Sequence, residues 1–182
     1  MRTIPNLLTL LRILLIPVIL GAFYFEHSTG SFIAAGCFMV ACATDYLDGY
    51  VARTWSQVSK LGQFLDPTAD KLLIASSLLM LAGFNRISHY ALIPAIVILC
   101  REIMVSGLRE TLLELNVPMP VTRLAKWKTA CQMLAIAMLM VNQSMYSLID
   151  LQMWGECFLW MAAVLTLVTG SSYLRAGLKH FK

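Results

Sequence analysis

Charge is what this sequence is short of. Asp, Glu, Lys and Arg make up 13% of it, while 59% of its residues are hydrophobic. A soluble domain carries about twice that share of charge, so a water-soluble globular protein is excluded. The expectation is an all-α, polytopic membrane protein. Its 182 residues have room for about six helices of ~20 residues with short connections. A separate soluble domain does not fit, and 1–182 reads as a single transmembrane domain.

Patterned cysteine and histidine are missing too. Cys37, Cys42, Cys100, Cys131 and Cys157 lie in apolar stretches without CxxC spacing, which makes them small packing residues rather than metal ligands or disulfide partners. His27, His89 and His180 are isolated in loops or in the tail, and no chemistry is assigned to them. The eleven methionines are scattered among Leu and Ile and need only packing or lipid-facing roles. No GxxxG pair marks a helix contact face. Internal repeats and low-complexity segments are absent. The first apolar run is long, is interrupted by Arg12 and lacks a small-residue cleavage site, so it is expected to be retained rather than removed as a signal.

What is present is hydrophobic patterning for membrane helices over 5–25, 32–53, 63–84, 89–110, 123–142 and 148–175. Polar breaks separate them: His27 to Gly30, Thr54 to Leu61, Asn85 to Ser88, Asn116 to Pro120 and Asn142 to Ser144. Arg2, Arg53, Lys60, Arg109, Arg123, Lys126, Lys128, Arg175, Lys179 and Lys182 fall at the N-terminus, in alternate loops and at the C-terminus. The loops of the other side carry only Arg86. The positive-inside bias therefore puts both termini on the cytoplasmic face. An even number of spans follows, in agreement with the hydropathy count.

Against this background stands DYLDGYVARTWSQVSKLGQFLDPTAD, from Asp45 to Asp70. Acids at the edge of a membrane segment are costly and usually line a functional cavity. Asp45 and Asp48 are three apart, and Asp66 and Asp70 are four apart, so each pair shares a helical face. Gly49 and Ala52, on the face of the first pair, would let a bulky ligand approach the backbone, and Arg53 is placed for a phosphate. Four such carboxylates repel, and alone some would take up protons. Two divalent cations would keep all four ionised and could serve phosphoryl displacement. An oxygen-only set suits Mg²⁺, Mn²⁺ or Ca²⁺ rather than zinc. A carboxylate not fully engaged by metal could act as general base toward a hydroxyl. The bland alternative is a solvated, charged helix end, which leaves the register of four acids beside small residues unexplained. Asp66-Pro67 admits two helical readings: Asp66 as N-cap with Pro67 at the first helical position, or a helix that starts near Gly62 and is kinked by Pro67.

The spacing Asp45-x2-Asp48-Gly49-x2-Ala52-Arg53-x8-Gly62-x3-Asp66-x3-Asp70 resembles, without a departure, the signature of the CDP-alcohol phosphatidyltransferases, at eight fixed positions over 26 residues. The resemblance implies a six-helix membrane enzyme, usually a homodimer, that holds two divalent metals (Mg²⁺ or Mn²⁺) through the four aspartates. It implies a CDP-linked donor against Asp45, Gly49, Ala52, Arg53 and Gly62. Asp70 would be the base that activates the acceptor hydroxyl, and CMP would leave. The segments NLLTLLR (6–12), REIMVSGLRE (101–110) and KWKT (126–129) look like those of the branch that joins CDP-diacylglycerol to sn-glycerol 3-phosphate. That extends the likeness over most of the chain and implies a bacterial inner membrane, and the positive-inside bias puts the acidic site at its cytoplasmic face.

The residues themselves support an anionic acceptor. Glu102, Ser106 and Arg109 share a face of the fourth helix, and Lys126 and Thr129 one of the fifth. Arg109 and Lys126 could hold the acceptor phosphate. Arg123 and Lys128 are further candidates that point elsewhere on an ideal helix. The competing role for all four is to set topology beside anionic headgroups. Arg101, deeper in its apolar run, is expected to pair with an acid or a carbonyl, and Lys71 to snorkel or act as a counter-charge. Asn6, Thr9 and Arg12 form a polar stripe open to two roles, packing on the acidic helices or touching substrate.

Other acceptors would use the same chemistry: serine, an inositol phosphate, or phosphatidylglycerol in a cardiolipin synthase. A cation transporter is the reading from another class. It predicts acids near the midplane and two repeated halves, whereas these acids cluster at one face and no repeat is present.

Overall fold

A computed structural model describes residues 4–25, 28–55, 60–114, 123–141 and 150–178, without side-chain detail at 4–6, 48–55, 60–61, 63–64, 113–114, 123, 172 and 175–178. Its elements are α1 (Ile4–Ala22), α2 (Ser28–Trp55), α3 (Lys60–Gly83), a 3-10 turn (His89–Ala91), α4 (Leu92–Glu114), α5 (Arg123–Val141) and α6 (Leu151–Leu178). No strand occurs among the described residues. The protein is all-α and, by its apolar helices, a multi-pass membrane protein. Ser28–Leu47, His89–Leu112, Leu124–Val141 and Leu151–Ser171 are long and apolar enough to cross a bilayer. A shorter apolar stretch runs over Leu7–Ala22 in α1, and α3 carries Asp66, Asp70 and Lys71 in its first half.

Each expected helix has its counterpart within a few residues. The largest differences are α2, which begins at Ser28 rather than 32, and α4, which continues to Glu114. The breaks at His27 and over 56–59, 116–120 and 142–144 lie outside the described residues. Pro67 lies inside α3, so Asp66 does not start the helix and the reading that begins it before Asp66 holds. Starting α3 at Lys60 puts Gly62, Asp66 and Asp70 one turn apart on a single face.

Contacts within the chain divide it into two compact units. One draws on Met1–Arg86 and Ala137–Gln152, the other on Ile87–Ile136 and Met153–Lys182. In the first, α1 packs along α2 and α3. The α1–α2 turn is tight: a Cβ at Gly30 would lie 2.5 Å from the Ala22 carbonyl oxygen and 2.9 Å from Phe25 Cβ. Only glycine permits that approach, and it lets α2 start against the end of α1. Ile19, Ala34, Ala35, Phe38, Ala41, Leu73 and Leu78 are among its buried apolar side chains.

α3 ends in a left-handed cap. Asn85 has φ 53°, Arg86 N–H donates to Leu81 O at 2.8 Å and Asn85 N–H to Ala82 O at 3.1 Å. That pairing is the Schellman arrangement, with asparagine where glycine is commonest. It turns Arg86 inward. Arg86 Nη1 donates to Met140 O at 2.6 Å, one of the last carbonyls of α5, which have no partner inside their own helix. The guanidinium also lies 4.7 Å from the Phe23 ring centre, and Phe84 packs on Phe23 and Tyr24. Burial lowers the Arg86 pKa from the usual arginine value. Arg86 is thus committed to closing a helix end.

In the second unit Ser88 opens the 3-10 turn. Its hydroxyl accepts from Ala91 N–H at 3.3 Å. Its own N–H and hydroxyl each donate to the Glu156 carboxylate of α6 at 2.8 Å.

Candidate active site

Three of the four signature acids have described side chains, and all three belong to the first unit. Asp45 sits on α2, Asp66 and Asp70 on α3. Asp45 and Asp66 are near enough to repel one another, with Arg12 offsetting that repulsion at Asp45. Cys42, one turn before Asp45, feels the charges of Asp70, Asp45 and Arg12, which puts Asp70 in the same neighbourhood. Asp70 Oδ1 is buried. Asp48, Gly49, Ala52 and Arg53 fall in the last turns of α2, and their side chains lie outside the described ones.

The cation at this cluster comes from α1. Arg12 has no exposed surface, and its Nη1 is 2.9 Å from Asp45 Oδ1 and 3.7 Å from Asp66 Oδ1. Thr9, one turn earlier and 1% exposed, donates its hydroxyl to Asp66 Oδ1 at 2.7 Å. Of the two roles left open for the α1 stripe, Arg12 and Thr9 take contact with the acidic helices. The Asn6 side chain lies outside the described ones. The signal for this was present in the sequence as the i, i+3 spacing of Thr9 and Arg12, but a stripe alone does not say which helix it meets.

The residues fit a hard divalent cation in kind. The donors are oxygen only, and the carboxylates approach one another from two helices. Among the described residues, no three His, Cys, Asp or Glu side chains are grouped to hold one ion. A cage of these acids would therefore need Asp48 or oxygens from a bound ligand.

The predicted acceptor bases belong to the second unit and do not behave alike. Arg109 on α4 and Lys126 on α5 are exposed, whereas Lys128 is 5% exposed. Its ammonium pairs with Glu102 of α4. Of the two bases of α5 with described side chains, Lys128 faces inward and Lys126, two residues away, is exposed. The sequence signal for this was Lys128 and Gln132, spaced i, i+4 and both buried. Arg123 heads α5, and its side chain lies outside the described ones. Arg101, 7% exposed, lies 3.7 Å from Glu102 Oε1 and donates to Thr169 Oγ1 of α6 at 3.0 Å. Its expected acid is thus Glu102, joined by a hydroxyl and by the Tyr173 ring at 5.8 Å.

Known proteins match this chain along its length. A family model described as CDP-alcohol phosphatidyltransferase covers residues 2–168. A protein of Rickettsia felis is 44% identical over 180 residues, covering 99% of this chain and 98% of its own length. One of Pseudomonas fluorescens is 43% identical, covering 98% and 92%, and one of Escherichia coli is 38% identical, covering 95% and 93%. All three carry the name CDP-diacylglycerol–glycerol-3-phosphate 3-phosphatidyltransferase. With the acid signature intact and relatives matched from end to end, the chain belongs to the CDP-alcohol phosphatidyltransferase family.

Proposed function

We infer that this protein transfers the phosphatidyl group of CDP-diacylglycerol to sn-glycerol 3-phosphate, releasing CMP and forming phosphatidylglycerophosphate. The observation that carries this reading is identity of 38% to 44% over nearly the full chain to relatives named for that reaction. The acceptor hydroxyl attacks the phosphorus that bears diacylglycerol, and the bond from that phosphorus to the CMP oxygen breaks. Asp70 takes the hydroxyl proton. Asp45, Asp48, Asp66 and Asp70 hold the divalent cations on which the family generally depends, two Mg²⁺ or Mn²⁺ in this reading. When bound, these ions neutralise charge on the diphosphate oxygens. Gly49, Ala52 and Gly62 leave room for the CDP group beside Asp45, and Arg53 is the candidate base for its phosphates. Arg109, Lys126, Arg123 and Lys128 are the bases for the acceptor phosphate. Arg109 and Lys126 are exposed, and Lys128 would serve a phosphate while shared with Glu102.

The setting in this reading is a bacterial inner membrane crossed six times by one domain. Both termini and the site face the cytoplasm, and the enzyme works as a homodimer. The test is CMP release by the purified chain in detergent with CDP-diacylglycerol and Mg²⁺. Glycerol 3-phosphate, serine, inositol phosphate and phosphatidylglycerol are each supplied as sole acceptor. Release with glycerol 3-phosphate alone, abolished by chelator, is expected. Release only with another acceptor would overturn the acceptor assignment, and no release with any would overturn the reaction.

A further inference from the structure

Asp45 and Asp66 are held from behind and open in front. Among the described residues Arg12 is the largest fully buried side chain, and it reaches Oδ1 of both carboxylates, as Thr9 reaches Oδ1 of Asp66. Yet the Asp45 and Asp66 side chains keep 40% and 42% of their surface exposed. These contacts engage one oxygen of each acid and leave Oδ2 outside them. A buried guanidinium is always charged, planar and rigid, so it fixes the orientation of two acids on different helices that would otherwise push apart. Burying it is tolerable because two carboxylates share it. Neither Arg12 nor Thr9 falls within the eight-position signature.

We propose that Arg12 and Thr9 are positioning residues of the divalent-cation site, orienting Asp45 and Asp66 so that their open oxygens meet the ion. The proposal rests on the reading that these acids bind metal. Partners of this kind behind a ligand change metal affinity by about 10- to 100-fold when removed. A guanidinium also repels an incoming cation, and that effect has the opposite sign. Thr9 carries no charge, so its removal reports orientation alone.

The experiment is Mn²⁺ titration of the purified full chain in detergent, without substrate, followed by electron paramagnetic resonance. The Asp66→Asn variant serves as control. Thr9→Val should weaken Mn²⁺ binding by about 10-fold and Arg12→Met by up to about 100-fold. Arg12→Lys should fall between parent and Arg12→Met, since an ammonium restores charge but not the fork. Parent-like affinity in both Thr9→Val and Arg12→Met overturns the proposal, as does tighter binding in Arg12→Met, which would make repulsion the dominant effect. If Arg12→Met does not fold, Thr9→Val and Arg12→Lys decide, and parent-like binding in both overturns it. Absence of Mn²⁺ binding by the parent sinks the metal reading and this proposal together. Parent binding, lost in Asp66→Asn and unchanged in the α1 variants, sinks the positioning role alone.

Discussion

In the first unit one buried guanidinium, Arg12, faces two carboxylates, Asp45 and Asp66. In the second, two buried bases, Arg101 and Lys128, share one carboxylate, Glu102. Both clusters pair buried charges, as a membrane helix requires. Among the described ion pairs, acids outnumber the base in the first and stay partly exposed, and bases outnumber the acid in the second. An anionic cluster of oxygen donors suits a divalent cation, and a cationic one suits an anion. The two clusters therefore differ less in how they bury charge than in which sign is in the majority among the described pairs.

Removing an acid of the first cluster should cost chemistry, and removing the acid that two buried bases share should cost stability. The largest effect is expected at Asp70. Asp70→Asn should lower transfer by about 10²- to 10⁴-fold, the range for a general base, while Mn²⁺ binding largely persists. Near-normal turnover in that variant would remove Asp70 from the mechanism. Next comes Glu102→Ala, which leaves Arg101 and Lys128 buried without their acid. Stability in detergent should fall by about 3 kcal/mol, the low end for a broken buried pair, and adding Lys128→Met should recover part of it. An unchanged unfolding temperature in Glu102→Ala would mean that the second cluster is not balanced by that acid. Smaller again is Arg109→Ala. The KM for glycerol 3-phosphate should rise about 10-fold, in line with the loss of one charge-assisted hydrogen bond, and the KM for CDP-diacylglycerol should stay put. Equal rises in both would assign Arg109 to the donor or to the fold instead.

The helices were legible in the sequence because bilayer thickness sets their length and the polar breaks are sharp. The acids were legible because their i, i+3 and i, i+4 spacing survives any small error in helix bounds. Partner choice was not legible. Periodicity says that Thr9 and Arg12 share a face, but only packing says that this face meets α2 and α3. On α4 and α5 the same limit holds: an ideal-helix argument separates Lys126 from Lys128, but only packing shows that Lys128 is held by Glu102. Arg86 could be counted for topology, but its bond to Met140 O depends on a left-handed Asn85 that no hydrophobic pattern encodes. Spacing within one helix is a local property; which side chain answers it from another helix is not.

The smallest expected effect tests how tightly Arg101 is seated. A Cβ at Gly170 would lie 3.1 Å from Arg101 Nε and 3.2 Å from its Cγ, so alanine there must displace the side chain by a few tenths of an ångström. Alanine in a helix otherwise stabilises by about 0.5–1 kcal/mol relative to glycine. Gly36 of α2 supplies the reference, because a Cβ there meets nothing within 4 Å. Gly36→Ala should raise the unfolding temperature slightly, while Gly170→Ala should leave it unchanged or lower it, a gap of about 1 kcal/mol between the two. An equal gain at both positions would mean that Arg101 moves aside freely. Its contacts with Thr169 and Glu102 would then add little to the second unit, whereas Arg12, enclosed on all sides, would remain the one rigid counter-ion of the pair compared above.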